Sequence, residues 1–509
     1  MSEKNPDVGP ESVDIKLTPL KGHKGDLVDD TAEDAVETTR LKVYNRRWIV
    51  LITVALLNNT NTMSWIAYAP SGNYVNSFYG PSSASWFSMV YMLCTIPVGF
   101  CAMWAGRKFG LRSAILIAGW TNGIGSIIRL ISSFGFVPVN LRFPIAIVGQ
   151  AIAAVAYPFI MFLPTKVAGS WFPDTQRALA TTIGVMSNPL GVLMANLISP
   201  SIVKNTDDVP YLNWFTCIPS VIVMLLATFG VNRSEPKIPP TFSASKPQMD
   251  FIPGLKNCFT SKQYIVLLIV MGGGIGMFNC LYTVMLDLLC PSGYSNTFSG
   301  LCAALMIIGG VFGAAASGIF VDRTKLYEET LKIALGIAVV FGLIFLQLSL
   351  HPDVGVLLCI TCLLFGVMGL ATYPIGLELA SECTFPVSEA TSTGLIVLSG
   401  QVQSVIYVMM MKTLSRPLPF HKMKYQVCQL DKNDTSNIPK DNSMSIMAFS
   451  ILAAVLVFLV VLLFHPVYKR LEAERGNRAA EDKAKERAIE NARDKITLDT
   501  GSPTQPLQS

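Results

Sequence analysis

Polar side chains inside long apolar blocks are the residues of this sequence most able to do chemistry, because burying them in a bilayer is costly unless they face protein or water. The first block carries Asn58-Asn59-Thr60-Asn61-Thr62-Met63-Ser64-Trp65 and then Tyr68. Small polar groups in succession circle a helix, so part of the ring must line a cavity or bond to neighbouring helices. A break in the helix there would open backbone groups to that cavity. A later block begins Gly272-Gly273-Gly274-Ile275-Gly276 and continues to Phe278, Asn279 and Tyr282. Glycines at that density loosen a helix and permit close packing or bending. Gln150 and Tyr157 share one block, Gln401 and Gln403 another. Side chains of this kind suit a substrate cavity better than a catalytic centre. The sequence shows no paired His and Asp, no nucleophile beside a base, and no glycine-rich loop between a strand and a helix, so no enzyme is expected. Neither a metal nor any other cofactor is expected: Cys359 and Cys362 lie in the apolar stretch LLCITCLLFG without charged or His neighbours and read as packed thiols.

The elements that must position these residues are membrane spans. The chain has 509 residues, 51% hydrophobic and 14% charged, with a mean hydropathy of +0.47, where a soluble domain carries about 25% charged residues. Its apolar residues come in blocks of about 20, the length a helix needs to cross a hydrocarbon core of about 30 Å. Twelve spans are predicted, at 48–70, 85–104, 111–132, 143–164, 179–202, 211–231, 264–289, 298–320, 330–350, 354–379, 391–414 and 444–464. The first follows Arg46-Arg47 directly, a signal-anchor arrangement without a cleavage site. The net charge of +5 is modest, and nothing in it calls for a nucleic-acid partner; the expected partners are the bilayer and a small organic solute, met by a monomer.

Charge in the short loops sets the orientation. Arg46, Arg47, Arg107, Lys108, Arg112, Lys166, Arg177, Arg233, Arg323 and Lys469 fall on one side if the spans alternate, which makes both termini cytoplasmic. The expected divisions are a disordered N-terminal tail (1–45), a six-helix bundle (46–231), a polar, Pro-rich linker (232–262), a second six-helix bundle (263–465) and a charged cytoplasmic tail (466–509). Loop 415–443 is basic yet outside, and it offers Asn433-Asp434-Thr435 as a glycosylation acceptor on that side. Cys290 and Cys302 flank a short outer loop and have the option of pairing there. The plasma membrane is the expected location.

Two halves of six spans should repeat. Trp171-Phe172-Pro173-Asp174 precedes span 5 and Thr384-Phe385-Pro386-Val387 precedes span 11, an offset of 386 − 173 = 213. Arg107 follows span 2 and Asp322 follows span 8, an offset of 322 − 107 = 215. Gly318-Ile319-Phe320-Val321-Asp322-Arg323 resembles the G-x-x-x-D-R signature of the major facilitator superfamily in the loop where that superfamily carries it. In the first half Arg107 stands where the Asp is expected, and Asp174 is the candidate to supply the missing carboxylate. Arg46-Arg47-Trp48, Trp65-Ile66, Ser88-Met89-Val90-Tyr91, Ser187-Asn188-Pro189-Leu190-Gly191 and Glu378 through Gly394 are similar to solute carrier family 49, the feline leukaemia virus subgroup C receptor group. Phe298 through Cys302 and Val321 through Lys325 make the chain most similar to that family's third branch.

The resemblance implies an all-α membrane protein of the major facilitator superfamily fold, with twelve helices in two pseudo-symmetric six-helix bundles that work by alternating access. It also implies that spans 1, 4, 7, 10 and 11 meet at the cargo. Relatives that carry choline use a Trp on span 1, a Gln on span 4, a Tyr on span 7 and a Gln on span 11, the aromatics acting by cation–π attraction. Those positions fall on Trp65, Tyr157, near Asn279 with Phe278 and Tyr282 beside it, and Gln401, so two of the four match in type. Choline or a related cation, moved without ion coupling, is the implied cargo. Haem or another amphipathic organic solute is the alternative, and the four histidines stand in tails, loops or span ends, which counts against haem. A polytopic receptor without flux leaves the repeat unexplained. Glu378, Glu382 and Glu389, with Arg177 and Arg323, are expected to form a cytoplasmic gate.

Overall fold

The computed structural model describes residues 44–161, 163–172, 174–236, 251–324, 326–385, 387, 389–419, 423–429, 438–466 and 468–469. The tails, most of the linker and the acceptor Asn433 lie outside the described residues. Twelve helical segments are long and apolar enough to cross a membrane. The first comprises α1 (Arg46–Ile66), a tight turn at Ala69–Ser71 and α2 (Gly72–Tyr79). The helix therefore runs unbroken through the Asn/Thr ring, and its interruption comes one turn later, where Pro70 has no N–H to give the preceding turn. Spans 2 to 6 are α3 (Ser83–Lys108), α4 (Gly110–Ile131), α5 (Val139–Ile160) with its continuation α6 (Leu163–Trp171), α7 (Asp174–Ile202) and α8 (Val209–Gly230).

The linker contributes a helix that its polar, Pro-rich composition concealed, α9 (Phe251–Thr260). Its apolar side buries Gly254 and Cys258, it packs against spans 7 and 11, and burial pushes the Cys258 thiol up to about 11. Spans 7 to 12 are α10 (Lys262–Leu289), α11 (Asn296–Thr324), α12 (Tyr327–Leu348), α13 (Gly355–Thr384), α14 (Glu389–Thr413) and α15 (Ser443–Leu463). Between α14 and α15 the chain forms a two-residue antiparallel ladder, β1 (Arg416–Pro417) on β2 (Lys440–Asp441).

The glycine run of α10 does not bend that helix. It lets α14 lie against it: a Cβ on Gly276 would sit 3.1 Å from the Ser404 backbone nitrogen, and one on Gly272 within 2.8 Å of Gln403. Across the two halves, α3 meets α14 and α7 meets α11. These are spans 2 with 11 and 5 with 8, the two seams that the internal repeat makes equivalent. At the start of α11, Asn296 donates to Asn73 at 2.6 Å, joining the halves directly.

The cysteines differ from the expected arrangement. Cys290 pairs with Cys428 of the long outer loop, 138 residues away, whereas Cys302 is a free, buried thiol. Cys302 belongs to the interior of α11, one turn past the loop, so its side chain packs among Met306 and Phe365 instead of reaching the surface.

Candidate functional site

The Asn/Thr ring of α1 is consumed by bonds to neighbouring helices. Asn58 donates to the Gly184 carbonyl at 3.0 Å, Asn59 to the Ser187 carbonyl at 3.3 Å, and Asn188 donates to Asn58 and Thr62 at 3.1 and 2.8 Å. Asn61, fully buried, donates to Asn122 at 2.9 Å and to the Ala153 carbonyl at 3.0 Å. Tyr68, also buried, donates to Asn213, which in turn donates to Tyr79 at 2.9 Å. Asn61 and Tyr68 thus bond within the N-terminal bundle, while the Asn61 Oδ1 has no partner among the described residues. A hydrogen-bonding side chain in a low-dielectric interior gains most from a fixed protein partner, and each of these has one within reach.

What remains at the seam between the bundles is mostly aromatic. Trp65 is half-buried and donates its indole N–H to the Ser88 carbonyl at 3.2 Å. Trp65 and Tyr157 both pack on Tyr91, Ala153 and Ala154, and Trp65 and Phe278 both pack on the core that contains Met277, Tyr282 and Met306. Trp65 therefore packs on a core to which both halves contribute. Phe278 stacks on Phe365 with ring centroids 4.7 Å apart and planes 13° from parallel, and its other neighbour is Tyr282 at 6.1 Å. Asn279 turns the other way and donates to Ser404 at 3.1 Å. Gln401 is 3% exposed and makes no hydrogen bond among the described residues.

Two tyrosines complete the wall. Tyr157 and Tyr373, from opposite bundles, lie deep among protein atoms within electrostatic range of each other, and both keep accessible surface. The Tyr91 hydroxyl is buried without a partner. Since nearly every buried polar group in a folded protein is bonded, the unpartnered Tyr91 hydroxyl has room for a bond that no described residue supplies. Tyr91 lies in the Ser88-Met89-Val90-Tyr91 motif and Tyr373 precedes Pro374, but in sequence a lone Tyr in a span reads as packing.

Behind this wall stands Arg129, a fully buried arginine within α4 whose depth the spans' pattern does not reveal. It donates to the Ser64 carbonyl at 3.2 Å, to Gln150 Oε1 at 2.6 Å and to Thr216 Oγ1 at 2.5 Å, and its guanidinium carbon lies 5.3 Å from the Tyr68 ring centroid. The signal was present, since any charge inside a span is a functional candidate, but a residue three from the end of an apolar block reads as interfacial.

The expected cytoplasmic gate is only partly visible. Arg323 is exposed at the end of α11, Glu382 is buried and Glu378 half-buried on α13. The side chains of Arg107, Asp174, Arg177, Asp322 and Glu389 lie outside the described residues. Asp287, at the outer end of α10, pairs with Lys412 at 3.5 Å. Among the described residues no group of His, Cys, Asp and Glu is placed to hold a metal.

Comparison with known proteins gives a consistent answer. Residues 50–407 match the family model described as Major Facilitator Superfamily. The chain is 37% identical to Solute carrier family 49 member A3 of Xenopus tropicalis, over 86% of this chain and 90% of that one. It is 30% identical to the Choline/ethanolamine transporter FLVCR2 of Homo sapiens, over 72% of each. The crystal structure of a D-xylose-proton symporter superimposes with a TM-score of 0.60 at 15% identity, covering 83% of this chain and 98% of that one; that likeness concerns the fold alone.

Proposed function

We propose that this chain, which belongs to solute carrier family 49 of the major facilitator superfamily and is a membrane transporter, carries choline or a closely related amino alcohol. The observation that supports the reading is that Trp65 shares one packing cluster with Tyr157 and another with Phe278 and Tyr282, beside the unpartnered Tyr91 hydroxyl. A quaternary ammonium has no N–H to donate and is held by aromatic faces. Its hydroxyl can use the free phenol and amide groups. The choline and ethanolamine named for the human relative are of this chemical class. A departure also fits: a tyrosine at 157 keeps the wall aromatic while the other polar groups hold the hydroxyl end.

Transport is facilitated and uncoupled in this reading. The acidic side chains described stand in loops or toward span ends, such as Asp287 outside and Glu378 and Glu382 inside, whereas a proton-coupled carrier needs a carboxylate near the cargo. The protein works as a monomer in the plasma membrane with both termini cytoplasmic. The basic inner loops support that orientation, and so does the Cys290–Cys428 disulfide, which belongs on the oxidising side.

The test is uptake of labelled choline and ethanolamine into proteoliposomes, with Trp65→Ala alongside. Saturable flux is expected for the wild type, reduced about tenfold or more in the variant, since a desolvated cation–π contact is worth about 2 kcal/mol. Undiminished uptake by Trp65→Ala removes that residue from the site, and no saturable uptake of either solute by the wild type overturns the reading.

A further inference from the structure

Arg129 is a charge placed in the N-terminal bundle without a counter-charge among the described residues. Its partners are neutral: the Ser64 carbonyl and hydroxyl, Gln150, Thr216 and the Tyr68 ring. Its Nε is buried with no partner at all, as are the nearby Ser126 and Tyr91 hydroxyls. Described acidic residues of this half are Asp207 and Asp208 in the outer loop and Glu235 after α8, none of them paired with Arg129. Removing a guanidinium from water without an anion is expensive, and stability alone is better served by an apolar side chain of the same size.

The charge sits directly behind the seam. Its carbonyl partner Ser64 is the residue before Trp65. Gln150, which accepts from Arg129, donates to that same carbonyl at 3.1 Å and to the Phe87 carbonyl at 3.2 Å. The next carbonyl along, that of Ser88, accepts the Trp65 indole N–H. Tyr91, whose free hydroxyl lies within the field of Arg129, forms the surface on which Trp65 and Tyr157 rest. Among the described residues no acidic side chain pairs with Arg129.

We propose that Arg129 is a specificity-determining residue that tunes the charge selectivity of the site: it holds choline affinity below what the aromatic wall alone would give and admits, beside choline, a solute of the same shape whose ammonium is balanced by an anionic oxygen, such as a betaine-type zwitterion. The ammonium then lies against Phe278 and Tyr282 on the C-terminal side. The oxygen lies toward Tyr91 and the positive wall. This rests on the reading of Trp65 and Tyr157 as walls of the site. A unit charge about 10 Å away at an effective dielectric of about 20 changes binding by roughly tenfold, enough to order two ligands of one size.

The experiment measures binding of choline, glycine betaine and the uncharged isostere 3,3-dimethyl-1-butanol to the purified full-length transporter, by ligand-dependent thermal shift and by isotope competition. Wild type, Arg129→Gln and Arg129→Lys are compared, with affinities taken as ratios to the uncharged isostere so that loss of folded protein cancels. Arg129→Gln keeps a hydrogen-bonding group and loses the charge. It is expected to raise choline affinity about tenfold relative to the isostere and to lower that of betaine, while Arg129→Lys retains the wild-type ratios. A choline affinity that Arg129→Gln fails to raise, undetectable binding included, overturns the proposal. Equal damage by Gln and Lys with unchanged ratios does so too, since it reduces Arg129 to a brace. Adding Trp65→Ala to the Arg129→Gln background separates the premises: a charge effect that survives there leaves Arg129 in place and removes the Trp65 site.

Discussion

The two bundles are related by one repeat and use hydrogen bonds and glycine contacts at different helix pairs. In the N-terminal half the helices are joined by directional bonds: the α1 ring to α7 and α4, and Arg129 to three neighbouring helices. In the C-terminal half the closest pair, α11 and α13, is joined by missing side chains. A Cβ on Gly313 would run into the Val367 carbonyl and one on Gly366 into the Met306 carbonyl. The N-terminal half makes its own close approach elsewhere, at Gly125 against Gly149 on α4 and α5, where each added Cβ would lie 2.5 to 2.7 Å from the other's carbonyl oxygen. By the repeat, α11 and α13 correspond to α3 and α5, so the tight crossing has moved from one helix pair to another. Pseudo-symmetry thus conserves the path of the chain and not the means of packing. A hydrogen-bonded half holds one geometry with fixed charge and dipole. A glycine-packed half offers contact area at constant separation, and its seam face can be left to aromatic rings.

The comparison can be broken most forcefully on the glycine side. Gly366→Leu leaves no room for its side chain against backbone and is expected to abolish the folded protein, read as loss of the monodisperse peak in size-exclusion chromatography. A folded, stable variant would mean that α11 and α13 separate at no cost. On the polar side, Asn61→Leu strands the Asn122 and Ala153 groups it now satisfies. It is expected to cost about 2 kcal/mol, seen as a lowered thermal midpoint with a folded protein remaining. Equal outcomes for the two substitutions would erase the proposed distinction.

Smaller effects sharpen it. Cys428→Ser should lower stability by about 2–4 kcal/mol at most, since the crosslink closes a long loop, while Cys302→Ser leaves the crosslink intact in non-reducing peptide mass analysis. The opposite result would restore the Cys290–Cys302 pairing. The smallest effect concerns α9. With the Cys258 thiol fully buried and raised to about 11, maleimide should label it negligibly at pH 7 and increasingly as pH approaches about 11. Thiolate is the reacting form, and its share rises with pH until the folded value is passed. Rapid labelling at pH 7 in the folded protein would show that α9 is not docked on the C-terminal bundle.

The number of spans was legible from local pattern alone, because apolar length is a property of short windows, and the family was legible from motifs that resemble it. Which polar residue faces whom was not legible. Asn61 and Trp65 stand four positions apart on one helix, and only the placement of α4 and α5 decides that the first is buried and the second stands at the seam. Arg129 carried its signal as a charge in an apolar block, yet its depth and lack of a counter-charge come from side chains on α1, α5 and α8. The Cys290–Cys428 pairing likewise required the outer loop to fold back over the end of α10. Hydrophobicity acts residue by residue and is written in the chain; the partner of a hydrogen bond, a charge or a thiol is fixed by distance, and distance exists only once the helices have packed.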